Sequence, residues 1–169
     1  MAVGSTRPAT IHDVAKDHLM VTWKNVVVAI YKHETTVAGV ASVKRVYNTC
    51  AAAHPGGVFL ITIVEQGAPM PPSEVRDLLA NFLEGGTGKT LMSAVVHEGS
   101  GFRAAAVRSV VTGLAMLARL SYPHQVFGSV EVAARWFASA SGLSADELAE
   151  AIAEARSRAT QSSTTARAG

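Results

Sequence analysis

A single cysteine, Cys50, stands among 169 residues, which excludes an internal disulfide and a cysteine-based zinc cluster. Such cysteine usage suits a reducing compartment. The opening residues, MAVGSTRPATIHDVAKDH, lack the apolar core of a secretory signal and carry one arginine, too few for a transit peptide. A cytoplasmic location is therefore the expectation. Charge is scarce as well: 15 basic and 13 acidic residues leave a formal +2, with charged side chains at 17% of the chain. They are scattered singly, without the Lys/Arg stripe that a phosphate backbone requires, so nucleic acid is not an expected partner. The longest apolar segment, Ala104 to Leu120, is interrupted by Arg108, Thr112, Gly113 and Arg119. It is shorter than the roughly 20 residues that span a bilayer, and it reads as a buried helix.

What the chain does have is apolar content, 49% of residues, enough for one domain with one core at this length. Strand and helix signals alternate along it. Leu19 to Trp23 and Val26 to His33 are β-rich runs separated by Lys24-Asn25, the length of a hairpin turn. From Thr35 to Ala53, Val40, Val43, Tyr47 and Cys50 recur at helical spacing, and Pro55-Gly56-Gly57 stops the helix. Val58 to Val64 reads as a central strand covered on both faces. The Pro-rich loop that follows leads to Ser73, a helix cap, and to a helix with its core side at Val75, Leu78, Leu79, Phe82 and Leu83. Leu91 to His97 is the next strand, Gln125 to Phe127 another, and Val130 to Ala140 a helix. Ser144 caps a last helix with a thin stripe, Leu148, Ile152 and Ala155, which either docks on the domain or projects from it.

The resulting order, β-β-α-β-α-β-α-β-α, predicts an α/β fold: a mostly parallel sheet with an antiparallel hairpin edge and helices packed on it. Residues 1–18 read as a flexible N-terminal tail, 19–140 as the domain, and 141–169 as a C-terminal helix and disordered tail.

From about Leu19 to Ala140 the chain resembles STAS domains, particularly the SpoIIAA-like branch of bacterial proteins. The segments that carry the likeness are LMVTWKNVVVAIY, VFLITIVEQGAPMPPSEVR, HEGSGFRAAAVRSVVTGL and YPHQVFGSVEVAARWF. The resemblance implies a non-enzymatic regulatory domain that binds a protein partner; some relatives bind nucleotides or lipids instead. In anti-sigma-factor antagonists a hydroxyl after a central strand is phosphorylated by a partner kinase. Ser73 is the one position onto which that switch carries over. The Asp before it and the Gly after it are missing, and Glu74 would repel an added phosphate. Ser73 also reads simply as a cap.

A second candidate is Gly99-Ser100-Gly101-Phe102-Arg103, between a strand and a helix. Its glycines permit a tight turn, the helix start offers free N–H groups, and Arg103 adds a fork for phosphate or carboxylate. It would lie beyond the carboxyl end of a strand, where ligands collect in open α/β sheets. It reads equally as a tight connection. Gly85-Gly86-Thr87-Gly88-Lys89-Thr90 mimics a phosphate loop, but Leu83 stands where the first glycine belongs and the segment joins helix to strand. It reads as a helix terminator.

Catalytic material is thin. Cys50 and His54 meet on one helical face, yet Cys50 belongs to the apolar series. His12, His18, His33, His54, His97 and His124 show no paired ligand spacing, so neither a metal nor a cofactor is expected. His97, at a strand end beside Glu98, is the most notable of them, and Arg108 in an apolar helix would need a partner if buried. Three readings follow. A protein-docking regulator predicts an exposed apolar patch. A small anionic ligand, nucleotide or lipid sensor would use the Gly99 to Arg103 loop. An enzyme would be built on His97, Glu98 and Ser100. A homo-oligomer through the last helix is left open.

Overall fold

The computed structural model describes residues 7–86, 88–101, 105, 108, 109, 112 and 120–167, with side chains through Thr164. The strands are β1 (Thr10–Val14), β2 (His18–Trp23), β3 (Val26–Tyr31), β4 (Val58–Val64), β5 (Thr90–His97) and β6 (His124–Phe127). The helices are α1 (Val37–Ala53), α2 (Ser73–Gly85), α3 (Val130–Ala140) and α4 (Ala145–Arg167). The six strands form one sheet in chain order, β1-β2-β3-β4-β5-β6. β1, β2 and β3 are antiparallel neighbours, and β3 to β6 run parallel. The fold is thus α/β, with an antiparallel edge on an otherwise parallel sheet.

The antiparallel edge holds one strand more than the hairpin expected. Residues 10–14 lie in the stretch read as tail, yet they pair with β2 through a register irregularity at Ile11/Asp13. Side-chain anchors hold this edge: His12 Nε2 lies 2.7 Å from Thr22 Oγ1, and Trp23 Nε1 donates to Arg7 O at 2.9 Å. The turn at Lys24-Asn25 is present, with Lys24 at φ 52°. Asn25 Nδ2 donates from it to Gly57 O at 3.0 Å.

The far end also differs from expectation. The polar stretch read as a disordered tail is helical through Arg167. Its hydroxyls find partners without leaving the helix: Thr160, Ser162, Ser163 and Thr164 each donate to the carbonyl four residues back. The thin stripe docks, with Leu148, Ile152 and Ala155 fully buried against the sheet. Ser144 does cap this helix, its Oγ accepting from Glu147 N at 3.3 Å. The apolar segment from Ala104 to Leu120 lies mostly outside the described residues; Ala105, Arg108, Ser109 and Thr112 are helical. No helix among the described residues is long and apolar enough to cross a membrane.

The sheet's two faces are covered differently. On one, α3 and α4 close over Leu19, Val21, Ile30, Ile61, Ile63 and Val96, with Phe59 and Phe137 in edge contact at 5.5 Å. On the other, α1 packs on β2 and β3 over Met20, Val27, Ala29 and Leu60, while α2 packs chiefly on α1.

Candidate functional site

Residues in register across a parallel sheet point the same way, and alternate residues of a strand point to opposite faces. The face under α1 and α2 therefore carries the rows Leu60–Ser93–His124, Ala29–Thr62–Val95 and Tyr31–Val64–His97. Polar side chains enter each row. α2 stands over them without closing on them: of its apolar stripe only Val75 is buried, whereas Leu78 is exposed and Leu79, Phe82 and Leu83 are half-buried. The five were expected as a core side. The space between is a cavity of about 500 Å³. Tyr31, Thr62, Ser93, His97 and His124 form its polar floor, and Met70, Pro71, Leu79, Phe82 and Leu83 form its apolar wall. Arg76, Asp77 and Glu84 bring charge to it from α2. The cavity extends to the carboxyl ends of β3, β4 and β5, the edge where open α/β sheets bind ligands.

The floor holds buried polar atoms without partners. Tyr31 is fully buried and His97 is 6% exposed; the Tyr31 hydroxyl and both ring nitrogens of His97 have no hydrogen-bond partner among the described residues. His124 Nδ1 lies 2.5 Å from Ser93 Oγ, but its Nε2 has none. Leaving such a group unpaired costs about 1–3 kcal/mol. Burial lowers the His97 pKa, and the Arg108 guanidinium pushes it further the same way. Burial also lowers that of His124 and, with the Asp17 charge, raises that of Tyr31. Near neutral pH the floor therefore carries no formal charge.

A second polar group on this face is built around carboxylates. His18, cross-strand from Tyr31, is buried between two carboxylates: Nε2 lies 3.2 Å from Asp13 Oδ2 and Nδ1 lies 3.1 Å from Asp17 Oδ1. The second contact is an electrostatic one, not aligned as a hydrogen bond. Ser42 Oγ and Arg45 Nη2 both donate to Asp13, and Thr36 Oγ1 donates to Asp17 at 2.6 Å. Thr36 also caps α1, accepting from Gly39 N at 2.9 Å. A Cβ on Gly39 would stand 2.8 Å from Tyr31 Cε1, so the missing side chain lets α1 settle on the tyrosine ring. Ser42 bonds the carboxylate and not the imidazole, so the group lacks a serine–histidine dyad and serves to fasten α1 to β1 and β2. Burial works against ionisation of Asp17, but Thr36 and His18 outweigh it and its pKa is lowered.

Those of the residues singled out in the sequence that are described are not brought together. Ser73 is the first residue of α2 and exposed; Pro72 holds the cap position and no side chain bonds there, so Ser73 is not a cap. Gly99 and Gly101 adopt positive φ, 123° and 93°. Ser100 is exposed, and Arg108 Nη1 reaches Gly99 O at 3.5 Å. Phe102 and Arg103 lie outside the described residues. The described part of this loop follows β5 directly but is not part of the cavity lining. His97 faces the cavity, whereas Glu98 pairs with Arg156 of α4 through two bonds of 2.8 and 3.1 Å. A His97–Glu98 pair is thus precluded by the alternation of the strand itself. His54 Nδ1 lies 2.9 Å from the Cys50 carbonyl, which can only accept, so this nitrogen carries a proton and is no base for the thiol 3.6 Å away. Burial pushes the Cys50 thiol up. Gly86 caps the end of α2 and Gly88 turns at φ 84°, the terminator expected. No group of three or more metal-ligating side chains occurs among the described residues.

Compared with protein-family models, with curated proteins and with solved structures, the chain finds no match.

Proposed function

We propose that this protein is a non-enzymatic regulatory domain whose binding site is the cavity between the sheet and α2, and that it takes a small, largely apolar molecule there. The observation that carries this reading is α2 itself. It is an amphipathic helix that holds its apolar stripe half-exposed over about 500 Å³ of space floored by unpartnered polar groups. A volume of this order, mostly apolar with a few convergent polar atoms, is the usual form of a small-molecule site. Catalysis finds no support, since the nearest candidates, His97, Glu98 and Ser100, do not converge.

The resemblance to STAS domains supplies the regulatory half of the proposal: ligand occupancy is the input and a protein partner the output. Direct docking by itself is less well supported, because the exposed large apolar residues among the described ones, Val14, Val37, Leu78, Leu91 and Val132, sit on five different elements. Ser73, exposed beside the cavity-lining Pro71, is where a phosphate would act on the same helix. The anion-sensing role of the Gly99 to Arg103 loop gives way to the cavity, which offers both volume and orphaned donors.

The test is fluorescence titration with N-phenyl-1-naphthylamine, an uncharged apolar probe that brightens when it leaves water. Saturable binding near one equivalent is expected for the wild type, and loss of it for Leu79→Trp, which fills the cavity. Binding that Leu79→Trp leaves unchanged in a variant with intact melting behaviour would overturn the assignment.

A further inference from the structure

The geometry points to the chemical class of the occupant: a neutral, mostly apolar molecule with one polar head that both donates and accepts hydrogen bonds, seated on Tyr31 and His97. This inference rests on the cavity being the site and goes beyond it, because it is drawn from what the floor lacks.

Tyr31 and His97 occupy the same row, one on each side of Val64. Two strand spacings put their Cα atoms roughly 10 Å apart, a span that a single small head between two long side chains can bridge. Both side chains are more than nine-tenths buried and both line the cavity; their polar atoms have no partner among the described residues and are out of contact with solvent, so a head engages them as the two side chains turn toward it. Each presents both functions: the phenol has one donor and acceptor lone pairs, and an uncharged imidazole has one N–H and one bare nitrogen. An ionised carboxylate or phosphate accepts only. It would satisfy the phenol and the N–H but leave the bare nitrogen orphaned, and it would bury a charge against groups that carry none. Among the described residues, the charged ones lining the cavity, Arg76, Asp77 and Glu84, all belong to α2 and not to the floor. Arg108 extends toward the Gly99 carbonyl and is not among the described lining residues, but its charge reaches His97, which makes the carboxylate the decisive competitor in the experiment below. A primary amide or a hydroxyl meets both requirements. The body of the ligand then lies along Leu79, Phe82 and Met70.

The unpartnered buried atoms of Tyr31 and His97 carry an unmet desolvation cost, and this gives the inference its most distinctive consequence. Removing an unpartnered buried polar atom relieves an unmet desolvation cost, so Tyr31→Phe is expected to melt no lower than wild type while binding the head less well. A purely structural tyrosine would behave in the opposite way.

The experiment displaces N-phenyl-1-naphthylamine from the full chain with three molecules sharing one bicyclic body: 1-naphthaleneacetamide, 1-naphthaleneacetate and 1-ethylnaphthalene. The amide is expected to bind about tenfold more tightly than either of the others, the scale of one to two net hydrogen bonds. Tyr31→Phe and His97→Leu should each weaken the amide about five- to tenfold and leave 1-ethylnaphthalene unchanged. His97→Gln, which keeps a donor and an acceptor, should recover part of the loss. Comparing amide with hydrocarbon in the same variant separates head recognition from any general loss of folding. If the carboxylate equals or exceeds the amide, the neutral head is overturned and the cavity assignment survives. If the hydrocarbon matches the amide, the polar floor does not recognise a head and the inference is equally overturned. If the naphthylamine probe does not bind at all, the cavity assignment falls and takes this inference with it.

Discussion

The same strands build two faces of opposite character. Along β4, Phe59, Ile61 and Ile63 point into the core under α3 and α4, while Leu60, Thr62 and Val64 point toward α1 and α2. Along β5, Ala94 and Val96 face the first set of helices, and Ser93, Val95 and His97 the second. The first face is apolar and closed; the second has a polar side chain in every row and, among the described residues, holds the cavity under α2. A single-residue step thus separates a surface that contributes stability from one that sacrifices some of it. The contrast teaches where to look in such a sheet: the binding face is the one whose polar residues lack partners. Polarity alone is not sufficient, because the Asp13–His18–Ser42 group on the same face is held between carboxylates: His18 Nε2 and Ser42 Oγ both bond Asp13, and His18 Nδ1 lies against Asp17.

The sharpest way to break this contrast is to hollow out the closed face. Phe137 is fully buried against Phe59 and Trp136, and Phe137→Ala should cost about 3–5 kcal/mol, read from the shift in denaturant midpoint at constant slope. Next in size is Ser42→Ala, which removes a buried donor from Asp13 and should cost about 1.5–3 kcal/mol at pH 7, as hydrogen bonds to charged groups do. That loss has a pH signature. The Ser42 hydroxyl, then His18 and Arg45, hold the Asp13 carboxyl below its ordinary value of 3.8 despite burial. A depressed folded-state pKa means that the contribution is full above the unfolded value and disappears as pH falls through the folded one. The stability difference between wild type and Ser42→Ala should accordingly be constant from pH 5 to 7, taken as roughly one unit and more above the carboxylate range, and shrink below about pH 4. A difference independent of pH would mean that Asp13 is not the partner that matters.

The alternation of elements was legible from hydrophobic period alone, and Val58–Val64 and Val130–Ala140 match their expected bounds. β1 was not, because TIHDV has little apolar content and its pairing depends on anchors far along the chain, Trp23 and Thr22. The cavity was missed for a different reason. Period shows which side of α2 faces inward but not how far the helix stands from the sheet, so Leu79, Phe82 and Leu83 read as core. A signal was present nonetheless: Thr62 and Ser93 interrupt apolar runs at positions that, two residues along, reach Val64 and Val95 on one face. His97 and His124 were each visible singly, and only the register placed them on a common floor.

Two smaller effects test whether the closed face also steadies the open one. Arg156, from α4 on the closed side, binds Glu98 at the end of β5 and lies 4.0 Å from Glu65 at the end of β4. Arg156→Ala should cost about 1 kcal/mol, since the partners are partly solvated. It should also speed amide exchange at Glu65 to Ala68 and at Glu98, the segments that leave the sheet next to the cavity.

The smallest effect is the most diagnostic of the two faces. Thr62 is half-buried at the cavity floor, so its hydroxyl exchanges one hydrated setting for another on folding, and Thr62→Val is nearly isosteric. The expected change in stability is under about 0.5 kcal/mol, the range of substitutions that break no buried contact. If the face were dry and closed like its opposite, replacing an internal hydroxyl by a methyl would shift stability by about 1 kcal/mol or more in either direction. Chemical denaturation of Thr62→Val beside wild type resolves a difference of that size. A shift that large would place Thr62 in a sealed core and remove the open face on which the binding site depends.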